Sequence, residues 1–192
     1  MKYIKTSKQA LEIFRANEEC NSTEYNIRLL TRALNLEPSN LEARFERGFY
    51  SYVQNNYKLA IADLNICSHN KFNAGFCNLC LALIYYTKRE YQLAVKHFKQ
   101  AGNPILFQED FNKYGECLFE IGEYREASFY LRKYIKLFPE KHYPYYILAH
   151  SQYFMNEYMQ SLQNINRAIE IDARAAHFYL DLKMEIRYAL EN

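Results

Sequence analysis

The chain has 192 residues, enough for one or two domains with a substantial core. Apolar residues make up 49% and charged residues 24%, which excludes a disordered acidic or basic tail. A formal net charge of +2 lacks the basic excess of a nucleic-acid binder, so nucleic acid is not expected as a partner.

The opening residues, MKYIKTSKQALEIF, hold no apolar run of signal-peptide length, and a secretory signal is not expected. The most apolar stretch, from Phe76 to Tyr86, is broken by Asn78. It is too short to cross a bilayer and reads as a buried helix, so no membrane insertion is expected. Five cysteines, an odd count, fit a reducing compartment better than a disulfide scaffold. A cytoplasmic location is expected.

Four segments align without a gap: NNYKLAIADL at 55–64, REYQLAVKHF at 89–98, GEYREASFYL at 122–131 and NEYMQSLQNI at 156–165. Their tyrosines, Tyr57, Tyr91, Tyr124 and Tyr158, are spaced 34, 33 and 34. The small residues Ala60, Ala94, Ala127 and Ser161 keep that spacing, as do the large apolar Leu64, Phe98, Leu131 and Ile165. Upstream, Gly48, Ala82, Gly115 and Ala149 keep it again. Four columns sharing one irregular spacing mark an internal repeat of helix pairs. Small residues on both helices let two backbones approach closely. The tyrosine caps the seam of each hairpin, and the Leu, Phe or Ile column is expected to fill the gap to the next repeat. Such a hairpin cannot bury its apolar face alone and must stack on copies of itself.

With these columns the chain resembles the tetratricopeptide repeat family, whose period is 34 and whose pattern runs W-x2-L-G-x2-Y…A-x3-F…P. The resemblance implies an all-α fold, a right-handed α-solenoid of about five helix-turn-helix repeats in a single domain, 1–192. The repeats fall at about 7–40, 41–74, 75–107, 108–141 and 142–175, with a capping helix at 176–190. The first is degenerate and ends in Ala33-Leu34-Asn35-Leu36-Glu37-Pro38. Pro38 and Pro139 hold the family's closing proline, while its Trp position carries Arg44, Asn78, Phe111 and Tyr145. The third unit is one residue short. Gly102 suits a left-handed helix stop there, before Asn103-Pro104 opens the next segment. In the capping helix, Phe178, Leu182, Ile186 and Leu190 form the stripe expected to cover the last repeat, with the charged side meeting water.

At about 100° per residue, positions 4, 7, 8 and 11 of each first helix face the packing. Positions 2, 5, 9 and 12 form a second stripe, which the resemblance identifies with the lining of a concave groove. That stripe carries Phe45, Phe49 and Tyr52, then Phe76, Leu79, Leu83 and Tyr86. Further along it carries Glu109, Asn112, Glu116 and Phe119, then Tyr143, Tyr146, His150 and Tyr153. Stacking accounts for one apolar stripe; the second is expected to take a partner, the alternatives being that it holds the chain's own terminus, closes up in a tight superhelix or pairs two copies. The expected function is a protein-binding adaptor or chaperone that docks an apolar or aromatic segment, or an amphipathic helix, in this groove. The alternative is a self-associating structural scaffold, so a homo-oligomer is an open expectation. Glu42, Glu109, Glu116 and Glu120 edge the stripe without Lys or Arg, which favours basic residues in the partner.

Family members that grip a C-terminal carboxylate use a cationic fork. In one window the matching residues are Phe45, Phe49, Cys80, Glu109 and Lys113, and in the next Leu79, Leu83, Lys113, Tyr143 and Ile147. Neither supplies that fork, and tail capture is not expected. Cys77-x-x-Cys80 with Cys67 and His69 has zinc-like spacing. Cys67, however, shares a small buried column with Ala33, Ala101 and Ala168, and no metal or cofactor is expected. The histidines are scattered and no phosphate-cradling glycine run occurs, so no enzymatic activity is expected.

Overall fold

The computed structural model describes residues 5–16, 22–102 and 108–192. Helices follow one another in pairs: α1 (Ser7–Ala16) with α2 (Thr23–Leu36), α3 (Leu41–Val53) with α4 (Tyr57–His69), and α5 (Ala74–Thr87) with α6 (Tyr91–Ala101). Then come α7 (Phe111–Glu120) with α8 (Tyr124–Leu137) and α9 (His142–Phe154) with α10 (Tyr158–Ile171). A short 3-10 turn, Ala173–Ala175, leads into α11 (Ala176–Glu191). No strand occurs among the described residues. The architecture is the all-α, tetratricopeptide-type solenoid of stacked helix pairs.

Of the described residues, those within Met1–Lys88 and Lys96–Leu106 form one compact unit, and those within Arg89–Val95 and Phe107–Asn192 form a second.

The turn inside each hairpin recurs with the sequence. Asn55, Arg89, Gly122 and Asn156 all have positive φ, at 59°, 59°, 83° and 60°. Their spacing is that of the tyrosines, which begin α4, α6, α8 and α10. Around three of these turns a backbone N–H reaches back five residues: Asn56 to Ser51 O, Glu123 to Leu118 O and Glu157 to Gln152 O, each 2.8 Å. This is the Schellman closure, which satisfies carbonyls left over at a helix end. In two repeats the phenol locks the turn, Tyr57 OH donating to Asn55 Oδ1 and Tyr158 OH to Asn156 Oδ1, both at 2.7 Å. Gly102 ends α6 at φ 79°, the expected left-handed stop. Asn103-Pro104 lies outside the described residues.

The columns pack as their sizes require, with one correction. The Leu column does not serve only the next repeat; it fills the notch over the glycine of its own hairpin. A Cβ on Gly48 would stand 3.1 Å from Leu64 Cγ, and one on Gly115 would stand 2.7 Å from Leu131 Cγ. Ala82 and Ala149 occupy the same position fully buried. Ser161 Oγ donates to Ala149 O at 2.6 Å, a direct bond from the α10 column to the α9 column.

In the first unit, Leu11, Phe14, Leu30 and Leu34 build a core among α1 to α3, and Leu64, Leu81 and Ile84 build another between α4 and α5. A buried charge is set among them. Asp63, 1% exposed, holds Arg44 and Arg47 of α3.

In the second unit, Leu118 and Leu131 are fully buried, as are Ile165 of α10 and Ile186 of α11. The capping helix departs from the expected stripe. Tyr179, Leu182 and Ile186 are buried, whereas Phe178 is 69% and Leu190 38% exposed. Leu182 and Ile186 hold to the expected stripe; at about 100° per residue Tyr179 falls on that same face, between Ile186 and Leu190, while Phe178 lies at its edge and turns to solvent. Leu180, Met184 and Tyr188 are exposed too, so the outer face of α11 is more apolar than expected.

Candidate functional site

The ring-bearing stripe divides between the two units. In the first, Phe45 and Phe49 of α3 lie against Phe76 of α5, with ring centroids 5.9 and 5.6 Å apart. Phe72, in the connection before α5, completes an edge-on contact with Phe45 at 6.0 Å. A cavity of about 360 Å³ opens here, lined by Phe45, Glu46, Phe49, Asn73 and Phe76. Phe76 is 39% exposed; Phe45, Phe49 and Tyr52 are half-buried and packed on the α4–α5 core. Their rings therefore serve packing and surface at once. Leu83 and Tyr86 are also half-buried. Leu79 is only 7% exposed and adds its volume to the core instead of an open face.

In the second unit the rings form a ladder. Tyr143, Tyr146, His150 and Phe154 ascend α9, with successive centroids 6.2, 5.7 and 5.2 Å apart. Phe119 of α7 joins it at His150, 5.0 Å away, and Tyr124 stacks on Phe154 at 4.8 Å. At the other end Tyr146 stacks on Tyr179 of α11 at 4.7 Å. Tyr153 lies on the flank, 5.7 Å from Phe154. Tyr143 is 41% and Phe154 49% exposed. Phe154, Tyr124 and Tyr179 are absent from the expected set. Phe154 had a readable signal, because Tyr146, His150 and Phe154 follow one another at four-residue intervals along one helical face.

Charge edges this ladder. Tyr143 OH donates to Glu116 Oε1 at 3.1 Å, tying α9 to α7. Burial first, and then the Glu116 carboxylate, push the Tyr143 phenol pKa well up, so it stays a neutral donor. Burial also pulls the His150 imidazole below the ordinary histidine range, outweighing the opposite effect of Glu185. Glu120 is exposed one turn beyond Glu116. In the other unit Glu42 does not offer its charge to a partner, because it is taken up by Arg15.

The thiols sit apart from the rings. Cys67, Cys77, Cys80 and Cys117 are free and buried, while His69 is exposed. Among the described residues, no three or more His, Cys, Asp or Glu side chains are grouped to hold a metal ion. Burial pushes the Cys117 thiol up to about 12. A hydrogen bond from its neighbour lowers Cys67 and raises Cys77 correspondingly. These are sulfurs acting as small core groups.

A second, polar recess of about 670 Å³ lies in the first unit beside Ser68, Asn78 and His97. Asn78 Nδ2 donates to Ser68 Oγ and Ala74 O, both at 2.8 Å, and Asn78 Oδ1 lies 2.9 Å from His97 Nδ1. His97 stacks on Tyr85 at 5.3 Å. The Asn78 that interrupts the most apolar stretch is thus the centre of a satisfied buried network.

Neither a protein-family model nor a curated protein sequence matches the chain. Solved structures do. The crystal structure of YrrB, described as a TPR protein with an unusual peptide-binding site, superposes with a TM-score of 0.76 at 18% identity, covering 91% of this chain and 90% of that one. MamA from MSR-1 gives 0.70 at 17% identity, covering 88% and 98%. Another MamA structure gives 0.67 at 17%, covering 91% and 96%. At these identities the likeness is one of fold, and the fold is that of tetratricopeptide-repeat proteins.

Proposed function

We propose that this chain is a non-catalytic, protein-binding adaptor or chaperone. Its ring-bearing helices dock an apolar or aromatic peptide segment, or one face of an amphipathic helix. The observation that carries this reading is the α9 ladder, whose four rings run along one helix with Tyr143 and Phe154 left nearly half exposed. Flat rings with polar tips give broad contact area at low entropic cost. The Phe45–Phe49–Phe76 recess of the other unit offers the same chemistry. Glu116 and Glu120 at the margin favour a segment with basic residues among its apolar ones. That the YrrB structure is described as having a peptide-binding site lends the reading support from the same fold. A cytoplasmic setting belongs to this reading and is consistent with the free thiols. No described helix is long and apolar enough to cross a membrane.

The test is selection of random dodecapeptides displayed on phage, followed by binding to Phe76→Lys and Phe154→Lys variants. The reading expects peptides rich in aromatic, aliphatic and basic residues. Their binding should be lost in a variant whose melting temperature is unchanged. Selected peptides without apolar content, or binding lost only together with folding, would overturn it.

A second reading, self-association through an end of the solenoid, is favoured by the outer face of α11, where Leu180, Met184 and Tyr188 are 47%, 61% and 71% exposed. Terminal repeats ordinarily carry a polar outer face. Light scattering at two concentrations, on the wild type and on Met184→Glu, separates this from a monomeric adaptor.

A further inference from the structure

A second surface of the second unit has the opposite charge and is built on α8, the second helix of the hairpin that precedes the ladder. On α8, Arg125, Phe129, Arg132, Lys133 and Lys136 are all exposed. At about 100° per residue they fall within a sector of roughly 100°, one stripe along the helix. They line a cleft of about 550 Å³ with Ser128, Met155 and Glu157.

Three facts set this stripe apart from an ordinary solvated face. Phe129 is 53% exposed at its centre, with Lys133 Nζ 4.3 Å from its ring centroid. A half-open aromatic ring beneath a cation is a seat for both an apolar group and an anion. Second, the acids nearby answer little of the charge. Arg132 meets Glu157 at 3.8 Å, with Arg132 exposed and Glu157 partly so, and such a long surface pair contributes little. Glu126 points inward instead, accepting from Tyr114 OH at 3.3 Å. Third, a cation near a helix C-terminus is explained by the helix dipole, which accounts for Lys136 but not for Arg125 in the first turn.

We propose that the α8 stripe docks an acidic segment of a partner protein, its carboxylates on Arg125, Arg132 and Lys136 and an apolar side chain on Phe129. The charge complementarity selects this occupant. The stripe is about 16 Å long from Arg125 to Lys136 at 1.5 Å per residue, the length of a short peptide. Glu123 and Glu157 interrupt the basic surface at its borders, as a continuous phosphate backbone would not favour. This site is separate from the ring ladder, and each stands or falls without the other.

The probe is a fluorescein-labelled octapeptide of seven Glu and one central Phe, titrated by anisotropy into the full chain. Controls are the same peptide with Gln for every Glu, a single-stranded RNA 12-mer and phosphatidylserine vesicles. The expected result is saturable binding that weakens with added salt and drops at least about tenfold with the Gln peptide. Arg132→Glu with Lys136→Glu should cost a similar factor, and Phe129→Ala should weaken binding. Both residues of the charge-reversal variant are exposed, and circular dichroism melting checks that it remains folded. Equal binding of the Gln peptide, indifference to the charge reversal, or tighter binding of the RNA or the vesicles would overturn the proposal. So would light scattering that shows the stripe consumed in a dimer of the chain.

Discussion

Asp63 receives Arg47 twice, Nε to Oδ2 at 2.7 Å and Nη2 to Oδ1 at 2.9 Å, where the carboxylate is almost sealed from water. Arg44 Nη1 adds a third contact at 3.2 Å, and Arg47 Nη1 reaches on to Thr31 Oγ1 at 3.3 Å. One carboxylate thereby ties α4 to α3 and, through Arg47, to α2. Asp63→Ala strands two largely buried guanidinium groups and is expected to cost about 3–5 kcal/mol in urea denaturation. Replacing all three by Leu and Met should cost less than the single change, since no charge is then left buried. A single variant as stable as the wild type would show that the two arginines find water.

Gly115 and Leu131 set a second expectation. Gly115→Ala gains about 1 kcal/mol of helix propensity but drives a methyl group into a fully buried Leu, at a typical cost of about 1–3 kcal/mol. Net destabilisation of about 1 kcal/mol is expected, with Gly48→Ala milder because its neighbours stand 3.1 Å away. The repeat itself suggests the rescue: the α9–α10 hairpin pairs Ala149 with Ile165, so Gly115→Ala with Leu131→Ile should recover part of the loss. No recovery in the double variant would mean that the backbone, not Leu131, sets the limit.

Stability should decline in mild acid through two histidines. Burial, joined by the nearby Lys96, holds the His97 pKa below its ordinary value, and burial does the same at His150. The unfolded chain takes up those protons near pH 6.5, the folded chain only at lower pH. Between the two values the unfolded state binds more protons, so this contribution is complete above about pH 6.5 and is lost as pH falls through the folded pKa. Urea midpoints across that range should change less in His97→Gln and His150→Phe than in the wild type. Identical slopes would place the acid sensitivity elsewhere.

Asn156 tests the turn column. At φ 60° a β-branched residue is strongly disfavoured, while Gly is free of that penalty. Asn156→Val should destabilise by about 1–2 kcal/mol. Asn156→Gly should stay close to wild type, less the Tyr158 hydrogen bond. Thermal melting of the two variants side by side decides it.

Much of this was legible in the residues. Tyr57, Tyr91, Tyr124 and Tyr158 begin their helices because the spacing repeats a local structure, and local structure is what spacing encodes. Gly102 stops α6 for a reason visible in one residue. The site was less readable. Positions 2, 5, 9 and 12 found Phe76 and Tyr143 on the surface but also Leu79 in the core, since a fixed angle ignores how deeply each neighbour leans in. Glu42 looked like a free anion because Arg15 lies in another repeat, 27 residues away. The α11 stripe was right at Leu182 and Ile186 but took Phe178, at the edge of that face, in place of Tyr179 nearer its centre. The α8 stripe was passed over because cations on a helix ordinarily mean solvent; only the exposure of Phe129 and the company around it distinguish them.

Cys67, Cys77 and Cys80 lie in one compact unit and Cys117 in the other, none more than 2% exposed. A thiol reagent can reach them only during moments when the packing parts. The rate at which each sulfur becomes alkylated, followed by mass spectrometry of its own peptide, is therefore a native stopwatch for the breathing of each half. It needs no introduced probe, and it would report at once whether an added ligand quiets one half and leaves the other restless.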